Sequence, residues 1–253
     1  MSTSAATTTT YLLTGASRGL GLNYTKELLK SSPSVRVVAA VRDPSNASQL
    51  EPVKKEFGDR LFVVKCDVTS SESTKEAARA LEDSGFLKSS GGLDVVIANA
   101  GVAGGGFKSS TQFSEEELQL SVSTNLFGVV NTVNAFLPLL RKGEKKQIFV
   151  TSSLVGSLSS EWARKPFASA YSASKAAVNM YAIKLSAELG EEGFTVIPFH
   201  PGYVKTDMNA ETDTTGALEP SEAAELALKN VFAKATKEHN GKFLSHDGTE
   251  LPW

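Results

Sequence analysis

The sequence predicts a single α/β domain, a doubly wound parallel sheet of about seven strands with helices on both faces. Three observations predict it. Short β-branched runs alternate with longer helical segments along the whole chain. Several of these runs, such as VRVVAAV (35–41) and LDVVIANA (93–100), are apolar at successive positions, so both faces of those strands need cover. A glycine cluster lies where the first run gives way to the first helix. No linker, repeat or composition break divides the 253 residues, a length that supplies core enough for one large domain.

The elements follow in order. Residues 1–9 are polar, lack the basic and apolar regions of a secretory signal, and read as a disordered tail; the remaining 10–253 form the domain. YLLT (11–14) is the first strand, and a helix runs from Gly19 to Lys30. VRVVAAV is the second strand and LFVVKC (61–66) the third, with a helix near 71–84 after it. LDVVIANA is the fourth, followed by a long helix over about 114–137. QIFVTSS (147–153), FTVIPF (194–199) and KFLSH (242–246) complete the set, with helices over 169–189 and about 221–236.

Composition narrows the function. At 41% hydrophobic, 21% charged and a formal charge of −2, the chain has no electrostatic footprint for nucleic acid or an anionic membrane. No apolar run is expected to approach the length of a membrane span. A single cysteine, Cys66, excludes an internal disulfide and fits a reducing, cytoplasmic setting. His200, His239 and His246 lack metal-ligand spacing and read as structural; no metal is expected.

In LLTGASRGLGLN (12–23), Gly15, Gly19 and Gly21 have the spacing G-x-x-x-G-x-G, with Ser17, Arg18 and Leu20 between and around them. A tight turn and a close backbone approach to a pyrophosphate tolerate no side chain. The helix that opens there supplies free N–H groups and a favourable dipole to an anion. The alternative is a loop with three turn glycines and no ligand.

A second feature is SAYSASKAAV (169–178), which places Tyr171 and Lys175 one helical turn apart. A tyrosine over a lysine stem is ordinary packing, so the pair needs company. It has it: TGASRGLG, NAG (99–101), TSS (151–153), YSASK (171–175) and PGYVKTDM (201–208) occur in that order. Together they resemble the short-chain dehydrogenase/reductase family. The tail NGKFLSHDGTELPW (240–253) is similar to the Sniffer and C-factor carbonyl reductase group, close to the fungal norsolorinic acid ketoreductase type.

The resemblance implies a Rossmann fold, a nicotinamide cofactor and a small-molecule carbonyl substrate. Ketone reduction needs a hydride donor, a proton donor and a group to hold the carbonyl oxygen. An unperturbed tyrosine has a pKa near 10, and a neighbouring ammonium lowers it. Tyr171 is then the general acid in reduction, with Lys175 lowering its pKa and, by resemblance, binding the nicotinamide ribose. The family places a serine at Ser153 to hydrogen-bond the substrate oxygen; by sequence alone Ser152 competes. Asn125, an amide in mid-helix, has poor propensity there, and the family's reason for it is a water held for a proton relay through Lys175.

Resemblance also assigns cofactor contacts to Asp67 and Val68 after the third strand and to Asn99, Ala100 and Gly101. It assigns Pro201, Gly202, Val204 and Thr206 to a loop gripping the nicotinamide. Ala98 stands where the family more often has a second asparagine. The segment EWARKPFAS (161–169) is longer than usual; it reads either as a pocket flank walled by Trp162 and Phe167 or as an exposed loop packed on its own aromatics. Glycines 104–106 and the short connection from Met208 to Pro220 suggest an open pocket.

For the cofactor, an acid about twenty residues past the glycines favours NAD, and an arginine favours NADP. The second strand ends AAVRD, so Arg42, with Arg18 opposite, points to NADP(H). Asp43 turned inward would favour NAD. The expected function is NADPH-dependent carbonyl reduction; the alternatives are an NAD-dependent alcohol dehydrogenase and a non-catalytic dinucleotide sensor. The family commonly pairs through its long helices, and Leu118, Val122, Leu126 and Phe136 exceed what one helix face needs, so a homodimer or homotetramer is expected.

Overall fold

The β-branched runs are strands because neighbours on both sides bury them. In a computed structural model, which describes residues 8–210 and 213–253, they form one parallel seven-stranded sheet. Its strands are β1 (Thr9–Thr14), β2 (Val35–Val41), β3 (Leu61–Lys65), β4 (Val95–Ala98), β5 (Gln147–Thr151), β6 (Thr195–His200) and β7 (Leu244–Ser245). The order is β3-β2-β1-β4-β5-β6-β7, with every pair parallel. The fold is thus the single-domain Rossmann fold expected.

Helices cover both faces. One core packs Leu12, Val38, Val96 and Val150 against α3 (Ser71–Asp83), α5 (Gly128–Arg141) and α6 (Ser169–Gly190). The other packs Leu13, Val37, Ile97 and Phe199 against α1 (Gly19–Ser31), α2 (Glu51–Phe57) and α7 (Pro220–Ala227). Each fully buried aliphatic side chain contributes roughly 1.5–3 kcal/mol. The winding direction reverses between β1 and β4, which opens a crevice at their carboxyl ends.

The boundaries differ from expectation for identifiable reasons. β1 begins at Thr9, so the last residue of the expected tail is a buried strand residue; residues 1–7 lie outside the described residues. β4 is shorter than 93–100 because its flanking amides bond elsewhere: Leu93 to the Leu139 carbonyl, Asn99 and Ala100 to Thr14 Oγ1. The strand expected at 242–246 shrinks to two residues at the sheet edge, where the Ser245 amide donates to the Thr249 carbonyl. The long helix is two helices, α4 (Glu115–Val122) and α5, joined by a π-helical turn at Ser123–Phe127. The late helix likewise ends in a π turn, Leu228–Phe232, short of residue 236. α2 was not anticipated, although Pro52 at its start and Glu51 in its first turn are helix-start signals.

The run Glu115–Arg141 is, contrary to expectation, long and apolar enough to cross a membrane. Here Val129, Val133, Phe136 and Leu140 lie on the sheet. Phe136 is fully buried and so is not apolar surplus, whereas Leu118, Val122 and Leu126 are half-buried. The exposed large apolar side chains on these helices are Leu120, Phe127 and, on α6, Met180.

Candidate active site

The glycine turn leaves β1 and enters α1 at the crevice. Its glycines have distinct reasons. Gly15 has φ +68° and sits so close to β4 that a Cβ would lie 3.0 Å from Ala100 Cα. A Cβ at Gly21 would collide with the Gly15 carbonyl oxygen, so Gly21 lets the turn close on itself. Gly19 has φ +54° and faces open space. Arg18 is the N-cap of α1 but makes no capping bond, and the first turn carries no acid. An uncapped helix N-terminus with an open glycine at the switch point fits the pyrophosphate of a dinucleotide.

Asn99 stitches this turn to β4. Its backbone amide donates to Thr14 Oγ1 at 3.0 Å, and its Nδ2 donates to the Thr14 carbonyl at 3.0 Å. Ala100 and Gly101 continue along the rim, where a Cβ on Gly101 would lie 3.2 Å from Asn125 Oδ1 and 3.7 Å from Lys175 Nζ.

The chemistry gathers at the start of α6. Tyr171 is half-buried, and burial pushes its phenol up to about 12, while a hydrogen bond with Ser153 pulls the other way. Lys175 is buried and brought down to about 8 by that burial. Its Nζ lies 5.5 Å from the centroid of the Tyr171 ring and donates to the Thr151 carbonyl at 2.7 Å. The expected lowering of the Tyr171 pKa by Lys175 is therefore not the dominant effect. The ammonium is directed to a carbonyl, and loss of water outweighs it.

Ser153, not Ser152, joins this group. Ser152 is buried and donates its hydroxyl to Asn179 Oδ1 of α6. Ser153 lies beyond β5 with extended backbone and caps the short 3₁₀ turn Leu154–Gly156, accepting from the Val155 amide. Asn125 sits in the π turn, fully buried, and its reason is visible. Its Oδ1 accepts from the Val102 amide at 2.9 Å, and its Nδ2 donates to the Val102 carbonyl at 2.9 Å and to Ser174 Oγ at 2.8 Å. It ties the loop after β4 to α6, and a π turn is where such a side chain re-aims.

The remaining expected residues ring the crevice. Arg42 is exposed at the end of β2 and has no hydrogen-bond or ion-pair partner among the described residues. Asp43 does not turn inward: it accepts from the Ser45 amide and hydroxyl and from Asn46, which hold its carboxyl below the usual range. Arg18 pairs with Asp207 of the loop after β6 at 3.2 Å. Asp67 caps its own turn through Thr69, and Val68 is buried against Gly128 of α5, leaving backbone rather than side chain toward the crevice rim. Gly202 has φ +90° and packs on Leu218 and the His246 ring. Pro201 precedes it on the half-buried rim. Val204 bridges to Leu218, and Thr206 forms a capping box with Asn209.

One expectation about the pocket changes, and one open alternative is decided. Gly104 and Gly105 do not open it; both pack against Glu117 of α4, which a Cβ on Gly105 would meet at 2.7 Å. In the 161–169 segment, Trp162 and Phe167 meet edge-on at 5.6 Å, and Phe107 lies 6.4 Å from Phe167. The segment is packed on its own aromatics and also bonded to the 101–110 loop, by the Ser169 amide to the Lys108 carbonyl at 3.0 Å. The sequence did not single out Thr14, Thr151 or Asp207. Thr151 acts through its carbonyl, which leaves no side-chain signal. His200 is pushed down to about 4 by burial first, then by His246, and among the described residues no three His, Cys, Asp or Glu groups gather for a metal.

Comparison with known proteins agrees with this geometry. The profile of the family described as short chain dehydrogenase matches residues 9–216. A short chain dehydrogenase of Penicillium aethiopicum, gsfK, is 37% identical over 258 residues, covering 96% of this chain and 99% of the relative. An uncharacterized oxidoreductase of Schizosaccharomyces pombe is 35% identical over 263 residues, covering 98% and 100%. Among solved structures, NADPH-bound carbonyl reductase from chicken fatty liver superposes with a TM-score of 0.87 at 30% identity, covering 98% and 100%. Carbonyl reductase Sniffer of D. melanogaster gives 0.86 at 27%, covering 97% and 100%.

Proposed function

The chain belongs to the short chain dehydrogenase family, and from that premise we propose that it reduces a ketone or aldehyde to an alcohol with NADPH as cofactor. It is an oxidoreductase of the carbonyl reductase kind; the cofactor preference and the residue roles are our reading. The observation that carries it is the meeting of three groups at the carboxyl end of β5. A phenol that keeps its proton, a serine bonded to it and a buried ammonium stand beside the crevice into which an uncapped helix N-terminus points.

Gly15, Gly19, Gly21 and Lys175 would hold a nicotinamide cofactor, which would supply the hydride. Tyr171, up at about 12, holds its proton at neutral pH and hands it to the carbonyl oxygen as charge develops there. Ser153 hydrogen-bonds the same oxygen. Lys175, anchored on the Thr151 carbonyl, keeps a positive charge under the reacting end of the pocket. Asn125 ties the loop after β4 to α6, the helix that carries Tyr171 and Lys175.

NADP preference is supported by Arg42, exposed and unpartnered at the end of β2, and by Asp43, whose carboxyl is engaged in its own turn. The chicken liver relative is described as NADPH bound. We place the enzyme in the cytoplasm, as a homodimer or homotetramer joined through the exposed Leu120, Phe127 and Met180; a monomer by light scattering overturns the latter. The test of the activity is NADPH consumption with aryl ketones, diketones, quinones and aldehydes, wild type against Tyr171→Phe. Tyr171→Phe is expected to lose roughly 10²–10⁴ in turnover while still binding NADPH. Retention of a substantial rate would refute the assignment.

A further inference from the structure

The chain after β7 turns back on itself. The Ser245 amide donates to the Thr249 carbonyl and the Leu251 amide to the Phe243 carbonyl, so residues 249–253 run antiparallel beside β7. Trp253 stacks on Phe243, with centroids 5.5 Å apart and planes 25° apart. Beyond that stack the segment reaches the loop that follows Ser153. Ser157 Oγ donates to the Pro252 carbonyl at 2.7 Å, and the Ser159 amide donates to the Trp253 carbonyl at 2.8 Å.

That loop is coupled directly to the reacting groups. Its first turn is closed by the Gly156 amide on the Ser153 carbonyl at 3.0 Å, and Ser160 Oγ donates to the Leu154 carbonyl at 3.0 Å. Gly156 rests on α6 at Lys175 itself, where a Cβ would lie 2.7 Å from the Lys175 carbonyl carbon and Cβ. Asn179 Nδ2 donates to the Gly156 carbonyl from the next turn of α6. These contacts hold the start of the loop to α6, but at Leu158 and Ser159 it is exposed, and small displacements of an oxyanion donor are costly.

We propose that the return segment 249–253 is a strap that fixes the Ser153 loop, with Trp253 as a positioning residue acting through Ser153. The proposal rests on the catalytic reading of Ser153. The strap holds the loop by two backbone carbonyls, and the Trp253–Phe243 stack fixes where those carbonyls stand. It is thus a link between the sheet edge and the pocket, made within one chain.

The test is a double-mutant cycle on the full chain: Trp253→Ala, Ser153→Ala and the double variant, with Trp253→Phe and Ser157→Ala alongside. Turnover, the Michaelis constant for the carbonyl, NADPH affinity from cofactor fluorescence and thermal midpoint are read for each. Trp253→Ala is expected to lower turnover roughly tenfold, with NADPH affinity changed less than about twofold. Trp253→Phe, which keeps the stack, is expected to restore most of the rate, and Ser157→Ala to cost a few-fold, on the order of one hydrogen bond.

In the Ser153→Ala background, Trp253→Ala is expected to add nothing, since the strap acts through that hydroxyl. Multiplicative losses in the double variant, or full turnover in Trp253→Ala, overturn the strap. Full turnover in Ser153→Ala overturns the catalytic reading and the strap with it. Should Trp253→Ala fail to fold, unaltered turnover in Ser157→Ala, measured against an inactive Ser153→Ala, confines the segment to a stabilising role and refutes the proposal.

Discussion

The glycine turn after β1 and the first turns of α6 face each other across the crevice, and they are built in opposite ways. In the glycine turn the useful groups are backbone N–H donors, and side chains are excluded: Gly15 packs on Ala100 and Gly21 on Gly15. In α6 the useful groups are side chains, Tyr171 and Lys175, and burial shifts both, one up and one down. The first region is a matter of space and the second of desolvation. Substitutions in the first are expected to act on folding and cofactor binding, those in the second on turnover and its pH dependence.

The largest effect on the fold is expected at Gly21. A methyl there meets the Gly15 carbonyl group, which is backbone and cannot swing aside, and lies 2.9 Å from Asn99 Nδ2. Gly21→Ala should destabilise the protein by about 3 kcal/mol, an overpacking cost at the high end. Gly19→Ala is the contrast: its Cβ has open space but its φ of +54° is unfavourable, so the cost is about 1 kcal/mol. Thermal denaturation of both, with NADPH titration, separates the two. Equal destabilisation would mean that the close approach is not what fixes Gly21.

On the side-chain region, the pH profile of reduction is the sharper probe. Lys175, at about 8, is charged below that value and loses its charge as pH rises through it. Tyr171, at about 12, keeps its proton throughout the working range. The alkaline limb of kcat/KM is therefore expected near pH 8, set by the lysine. A profile flat to pH 10 would assign the limb to the phenol and return Lys175 to a purely structural part.

This division also explains what the sequence disclosed. Alternating runs and the glycine spacing disclosed all seven strands and the glycine turn after β1, because buried parallel strands and side-chain exclusion both leave residue-type signals. Tyr171, Lys175 and Ser153 were legible as a set of ordered motifs. What stayed hidden acts through backbone or through context. Thr151 presents a carbonyl to Lys175, and the π turn that aims Asn125 has no composition of its own. The direction of the Tyr171 shift was misread because adjacency on a helix says nothing about how much water is lost. Gly104 and Gly105 were misread in the reverse sense: glycine marks close approach as readily as openness, and only the position of Glu117 tells which.

The proposed cofactor discrimination falls on the other side of β1 from α6, at the end of β2. Among the described residues Arg42 has no partner to give up, so a ribose phosphate would gain its whole charge-assisted contact. Arg42→Ala is expected to raise the Michaelis constant for NADPH roughly tenfold or more, about 1.5–3 kcal/mol, and to leave NADH use nearly unchanged. Steady-state kinetics with both cofactors check this; equal weakening of the two, or a wild-type preference for NADH, removes Arg42 from the phosphate site.

The smallest effect is expected at the contact that joins the glycine turn to the loop after β6. Arg18 and Asp207 meet at 3.2 Å, but their side chains are 68% and 75% exposed. A pair so wet contributes about 0–1 kcal/mol and is screened by salt. Asp207→Ala should therefore leave the thermal midpoint within about 2 °C of wild type. Its effect on NADPH carries more information. If Arg18 serves the cofactor phosphate, the carboxylate competes for it, and Asp207→Ala lowers the Michaelis constant for NADPH by about two- to threefold, the share of an exposed pair. If the pair instead holds the loop over the cofactor, the same substitution raises that constant, and for NADH equally. A rise common to both cofactors would move Arg18 from the phosphate site to the loop, and leave discrimination to Arg42 alone.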